Sequence, residues 1–313
     1  MAHRTLSRRA WLAAGLASLP AFAQAQAQTP DAGAKALLQP LVGNDLPAAS
    51  RRLVSLGGAL TELVYALGAE ALLVGTDTTS NYPAAANRTP KVGYVRQLAA
   101  EGVLSLRPDT VIGTTEAGPP VVLSQIRQAG VAVSLVQADH SWDEVLRKIR
   151  LVGQATGRVA EAEKLRQTLQ AQWDATQASV ARAAQAGRRP RALFILSHSG
   201  SPTVTGSGTA AAALLRMAGA DNVMQGFAGY RPLTAESMAQ AAPQVIVTTT
   251  QGIEAMGGVE RFWQRPELAL TPAFARKSLV AMEASHLLGF GPRLSQAVQA
   301  LHEQLLALPV ATA

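Results

Sequence analysis

The chain repeats one short pattern at a fixed distance, and that repeat restricts its fold more than any other feature. Gly93-Tyr94-Val95-Arg96 is followed by Glu101, Pro108, the pair Val111-Ile112 and Thr114. Gly229-Tyr230-Arg231 is followed by Glu236, Pro243, the pair Ile246-Val247 and Thr249. Glu101 to Glu236 and Pro108 to Pro243 span the same distance, 135 residues. A solenoid needs roughly three or more stacked units, so two copies describe two like-folded lobes. Each lobe then offers a tyrosine, an arginine and a glutamate at matching places. Two such lobes facing each other across a cleft make a clamp for a ligand.

The stretch between the copies says how the lobes are joined. Residues 158–186 contain neither Gly nor Pro and are dense in Ala, Leu, Gln, Glu and Arg, all strong helix formers. Ala162, Leu165, Leu169 and Trp173 share one face at helical spacing. A helix over these positions is about 43 Å long. Such a rod fixes the spacing of two lobes and allows limited rocking.

On either side of it, short apolar runs alternate with helical patterns. Strands are predicted at 52–56, 71–74, 110–113 and 131–136, with helices at 60–67 and 121–129. In the second half, strands are predicted at 192–196, 245–248 and 278–281, and helices at 209–217 and 291–306. Residues 197–208 read as a Gly/Ser-rich turn. Strands alternating with helices imply parallel, doubly wound sheets. The expected architecture is α/β: two doubly wound lobes joined by one long connecting helix, with the ligand cleft between the lobes. The expected divisions are an N-terminal lobe at 49–150, a connecting helical segment at 151–187 and a C-terminal lobe at 188–313.

Composition enters through the export signal. Arg4, Arg8 and Arg9 precede an apolar stretch at 11–23 that ends in Ala21-Phe22-Ala23. A positive start, a short apolar centre and a small-x-small exit predict a secretory signal peptide at 1–23, followed by a flexible leader at 24–48. Removing those arginines lowers the formal charge from +7 to +4. With no basic stripe interleaved with aromatics, nucleic acid is not an expected partner. Ser7-Arg8-Arg9 fits twin-arginine export, and paired arginines also occur in ordinary secretory signals. The chain has no cysteine, so it has neither a disulfide framework nor a lipid-attachment thiol. A periplasmic location in a Gram-negative cell suits both facts. No later apolar run approaches ~20 residues, so no membrane span is expected.

The signal, the two lobes and the long helix together resemble the periplasmic binding proteins that feed ABC importers of iron compounds and cobalamin. The likeness covers nearly the whole mature chain. Its specific motifs lie in the first lobe: Leu56-Gly57-Gly58, Thr61-Glu62, Tyr65-Ala66-Leu67-Gly68-Ala69, Asp77-Thr78-Thr79-Ser80 and Val92-Gly93-Tyr94-Val95-Arg96-Gln97-Leu98. They continue through Ala100-Glu101-Gly102-Val103-Leu104-Ser105-Leu106-Arg107-Pro108-Asp109. With Leu196-Ser197-His198 and Gly229-Tyr230-Arg231 in the second lobe, they look like the haem-binding branch.

That resemblance assigns Tyr94 as the haem iron ligand. The chemistry is independently sound, because a phenolate is a hard anionic donor suited to ferric iron. Its pKa, near 10 when free, must fall, and a neighbouring cation favours the charged form. Arg96, two residues on, lies on the same side of an extended segment, and Arg231 is a candidate second cation from the other lobe. Composition alone favours reading Tyr94 as cleft-edge packing and Arg96 as a solvated surface charge; the full Gly-Tyr-x-Arg motif favours the ligand. Tyr230 and His198 are candidates for the opposite side of the porphyrin. His198 follows a strand, at the carboxyl end where doubly wound sheets place ligands, and Tyr230 suits porphyrin stacking.

His140 and His286 read mainly as structural loop residues, His286 with a possible place in the cleft wall. Arg88 and Arg293 are within the range of residue types that bind propionates. The Gly-Ser-Gly at 206–208 fits a turn and helix cap better than an anion site, and it lacks nucleotide-loop and hydrolase-elbow spacing. No zinc motif, cysteine nucleophile or carboxylate pair argues for an enzyme. Glu101 and Glu236 open helices in their respective lobes. The resemblance implies that they dock on arginines of an ABC permease dimer. The expected protein is a monomer that carries haem. A siderophore or cobalamin carrier is the alternative reading, and a secreted two-domain transferase a remote one.

Overall fold

The computed structural model describes residues 42–43, 49–197 and 201–308. The predicted signal peptide, the predicted leader apart from 42–43, and His198 lie outside the described residues.

The first lobe carries β1 (Val42–Gly43), β2 (Leu53–Ser55), β3 (Leu73–Thr76), β4 (Gly93–Tyr94), β5 (Gln97–Leu98), β6 (Thr110–Thr114) and β7 (Ala132–Val136). Its main sheet runs β1-β7-β6-β2-β3, parallel except for the antiparallel edge strand β1. β4 and β5 form a separate antiparallel hairpin. β2 and most of β6 are buried, as expected of parallel strands covered by helices on both faces.

The second lobe carries β8 (Arg191–Leu196), β9 (Thr203–Thr205), β10 (Asp221–Asn222), β11 (Tyr230–Pro232), β12 (Val245–Thr249) and β13 (Leu279–Met282). Here β13-β12-β8-β10 repeats the order β7-β6-β2-β3, all parallel. The 135-residue repeat is physical. β6 and β12 match at both ends at this offset, and the helices Ala100–Leu104 and Ala235–Ala241 start 135 residues apart.

The lobes differ at one edge. β9 folds back antiparallel on the end of β8, and β11 pairs antiparallel with β9. This pairing falls within the predicted turn at 197–208, where three residues between Pro202 and Gly206 are too short a run to signal a strand. A smaller difference concerns β3, predicted at 71–74. Residues Glu70–Leu72 form a 3-10 turn and the strand continues to Thr76. Gly75 lies within that strand, and a Cβ there would run into the Leu106 side chain.

The connecting helix spans Val159–Gln185, 27 residues, with Ala162, Leu169, Thr176, Val180 and Ala183 buried. It packs on the helices Trp142–Thr156 and Leu294–Ala307. Trp142 and Trp173 stack with centroids 4.7 Å apart, and Trp142 Nε1 donates to Gln170 at 2.8 Å. Ser141 caps the helix Trp142–Thr156 by accepting from Glu144 N–H at 3.1 Å. The buried Glu144 carboxylate accepts from the backbone N–H groups of Asp139 and His140, an extended form of the capping box.

Each lobe has its own apolar cluster, built around Val54, Val111 and Ile126 in the first and Leu193, Ile246 and Phe262 in the second. A third cluster runs through both, from Leu53 and Leu63 by way of Val152 and Leu169 to Phe194, Leu214 and Val298. That shared core ties the lobes together beneath the cleft.

Candidate functional site

A cavity of about 770 Å³ opens between the lobes, within the range of roughly 300–1,000 Å³ usual for small-molecule sites. Leu60, Glu62, Tyr82, Tyr94, Arg96 and Glu116 line it from the first lobe. Thr209, Tyr230, His286, Phe290 and Arg293 line it from the second. His140, Glu144 and Lys148, from the start of the helix Trp142–Thr156, complete it.

Tyr94 sits on the β4–β5 hairpin, with Val95 and Arg96 as its turn. Backbone bonds fix that hairpin: Thr78 N–H donates to Gly93 O, and Gly118 N–H to Val95 O, both at 2.9 Å. Gly93, with φ +104, takes a backbone conformation that side chains resist. The Tyr94 ring remains 38% exposed, and its hydroxyl accepts from Arg96 Nη1 at 3.0 Å. Arg96 Nη2 in turn donates to Glu116 at 2.7 Å. Burial disfavours the Arg96 charge, but Glu116 and Tyr94 outweigh it and hold the guanidinium pKa above its ordinary value.

Tyr230 lies on β11, at the sheet edge, and is 44% exposed. Burial pushes its phenol pKa up. The Arg96 charge and a hydrogen bond with Thr209 oppose that shift, and Glu116 adds to it. The two tyrosines therefore share one electrostatic neighbourhood. Arg231 does not join them. It follows Tyr230 directly on the strand, so its side chain leaves on the opposite face, where its guanidinium stacks on the Phe227 ring at 4.4 Å. It is not part of the cavity wall.

Other predicted residues divide clearly. Arg293 and both described cleft histidines line the cavity, whereas Arg88 does not. The His140 ring meets Phe290 edge-on at 5.4 Å. Thr209 caps the helix Ala210–Met217 by accepting from Ala212 N–H at 3.1 Å, so the Gly-Ser-Gly stretch leads into a helix cap. Glu101 and Glu236 are exposed in the first turns of their helices and make no side-chain bond among the described residues.

Glu62, Tyr82, Glu116 and Lys148 had no assigned role in the sequence. Glu62 binds Arg293 at 2.6 and 3.1 Å across 231 residues. Buried Lys148 pairs with Glu144 at 2.6 Å and donates to Phe290 O at 3.0 Å, joining the helix Trp142–Thr156 to the second lobe. Each cation of the cavity wall is thus already paired with a carboxylate. Among the described residues, no cluster of His, Asp and Glu could hold a bare metal ion, and no helix is long and apolar enough to cross a membrane.

A family model described as periplasmic binding protein matches residues 53–285. The chain belongs to the periplasmic binding protein family. The solved structure of the periplasmic haem-binding protein BhuT in complex with two haems is 44% identical, with a TM-score of 0.78 over 82% of this chain and 98% of that one. The uncharacterised ABC transporter substrate-binding lipoprotein YvrC of Bacillus subtilis is 27% identical over 82% of this chain and 80% of its own. The vitamin B12-binding protein of Yersinia pestis is 26% identical over 86% of this chain and 91% of its own. This chain is accordingly a substrate-binding protein of an ABC transporter, a transport component and not an enzyme.

Proposed function

We propose that the chain captures ferric haem between its lobes and delivers it to an inner-membrane ABC importer. The observation that carries this reading is Tyr94, an exposed phenol in the cavity wall with a guanidinium 3.0 Å from its oxygen. As a deprotonated donor, that oxygen would supply an anionic axial ligand for ferric iron, and the Arg96 guanidinium lies against it. Glu116 keeps Arg96 aimed at it. Tyr230 approaches from the other lobe as a stacking partner for the porphyrin, and His198 stands as the candidate second ligand. Similarity to BhuT supports the choice of haem.

Export by a cleaved signal peptide at 1–23 into a Gram-negative periplasm belongs to the same reading. Glu101 and Glu236, one per lobe and 135 residues apart, are matched acidic contacts that dock on arginines of the two permease subunits. Docking charges steer encounter and fix register. Changing both to Lys should therefore leave haem affinity intact and stop delivery in reconstituted vesicles.

Similarity to the vitamin B12-binding protein favours one second reading, cobalamin as cargo. Separate titrations with ferric haem and cobalamin, followed by absorbance, distinguish them. Saturable binding with a shifted haem band is the expected result, and saturation by cobalamin alone would replace haem as the cargo.

A further inference from the structure

Arg293 is held in one orientation by residues of both lobes. Its Nε and Nη2 donate to the two oxygens of Glu62 at 2.6 and 3.1 Å. Its Nη1 lies 3.3 Å from His286 Nδ1, and its guanidinium face covers the Tyr82 ring at 3.7 Å. Only three of the five N–H groups that a guanidinium offers are thereby used. Because arginine can only donate, His286 Nδ1 accepts, and the imidazole proton sits on Nε2. That Nε2 is buried without a partner. Unused donors therefore gather around a cation in the wall of a ligand cavity.

The side-on, two-bond geometry with Glu62 is the one arginine uses to recognise carboxylates. One cation cannot fully serve two carboxylates, and Glu283, which caps Ser285 and His286, adds further negative charge nearby. An incoming acid must then replace Glu62. Burial raises the Glu62 pKa in spite of Arg293, so burial works against the Glu62 charge in its present place.

We propose that Arg293 is a carboxylate-recognition site of the cavity and that Glu62 is the internal stand-in which a ligand carboxylate replaces. The proposal rests on haem, which carries two propionates, being the cargo. Unused donors on Arg293 give the incoming carboxylate its first contacts, exchange at the Nε–Nη2 edge completes its capture, and the buried His286 Nε2 is a further donor beside the site. Since Glu62 and Tyr82 belong to one lobe and His286 and Arg293 to the other, the exchange swaps a contact between lobes for one through the ligand.

The test compares ferric haem with its dimethyl ester, in which both carboxylates are blocked, by absorbance titration of the whole protein. The unaltered protein should prefer the diacid by about tenfold, the scale of one hydrogen-bonded charge. Arg293→Gln should remove that preference by weakening the diacid alone. Glu62→Gln should strengthen diacid binding several-fold and leave the ester unchanged, whereas a purely structural role would weaken both. The paired variant Glu62→Gln/Arg293→Gln, which leaves no lone buried charge, should bind the two forms equally. Equal affinity of the unaltered protein for haem and its ester overturns the carboxylate site and leaves haem as cargo. Absence of any haem binding overturns both.

Discussion

Tyr94 and Tyr230 stand at equivalent places in two copies of one pattern, yet the structure gives them different chemistry. In the first lobe, the arginine is two residues beyond the tyrosine, across a tight hairpin, and its guanidinium returns to the phenol oxygen at 3.0 Å. In the second, the arginine is the next residue on an extended strand and leaves on the opposite face to stack on Phe227. One residue of spacing decides whether the cation reaches the phenol. A duplicated fold thus holds one tyrosine whose oxygen accepts from a guanidinium and one whose pKa is raised by burial.

The largest expected effect separates the two phenols. Tyr94→Phe should weaken ferric haem binding roughly a hundredfold, about 3 kcal/mol, because the ring stays and the donor oxygen goes. Tyr230→Phe, which keeps the stacking ring, should cost no more than a few-fold. Equal losses in absorbance titrations would end the distinction between the lobes.

Next in size is the effect of the two arginines. Arg96→Ala removes the cation that donates to the Tyr94 oxygen and should weaken binding about tenfold, the usual scale for the partner of a metal ligand. Arg231→Ala, acting outside the cavity wall, should leave affinity within about twofold. A loss at Arg231 as large as at Arg96 would mean that the second lobe turns this side chain inward when haem binds.

The smallest effect is a titration. In the haem-free protein, Tyr230 should ionise above the ordinary phenol value of about 10, which a difference titration between the unaltered protein and Tyr230→Phe would read. Since the folded pKa is the higher one, this group's contribution to stability is complete below the ordinary value and is lost as pH rises through the folded pKa. Removing the Arg96 charge, which pulls the Tyr230 pKa down, should raise it further. A fall in Arg96→Ala would contradict the shared neighbourhood.

Much of this was legible in the chain itself. The 135-residue offset announced two lobes, and the helix expected over 158–186 is present as Val159–Gln185, with Arg158 and Ala186 as its caps. The spacing of Tyr94 and Arg96 indicated that they meet. What stayed hidden depends on contacts between distant segments. Glu62 and Arg293 are 231 residues apart, and Glu116 reaches Arg96 from 20 residues away. Neither separation has a periodicity to reveal it. The β9–β11 edge escaped notice because strands of three residues carry too little alternation to stand out from a turn. The same edge puts Tyr230 and Arg231 on opposite faces, so the sequence motif overstated the likeness of the lobes.

The central claim is that Tyr94 supplies the iron ligand from a lobe that differs chemically from its copy. The most direct test is the spectrum of the ferric haem complex, compared between the unaltered protein, Tyr94→Phe and Tyr230→Phe. A phenolate-to-iron charge-transfer band should be present in the unaltered protein, absent in Tyr94→Phe and retained in Tyr230→Phe. A band that survives in Tyr94→Phe and disappears in Tyr230→Phe would move the iron to the other lobe and contradict the account.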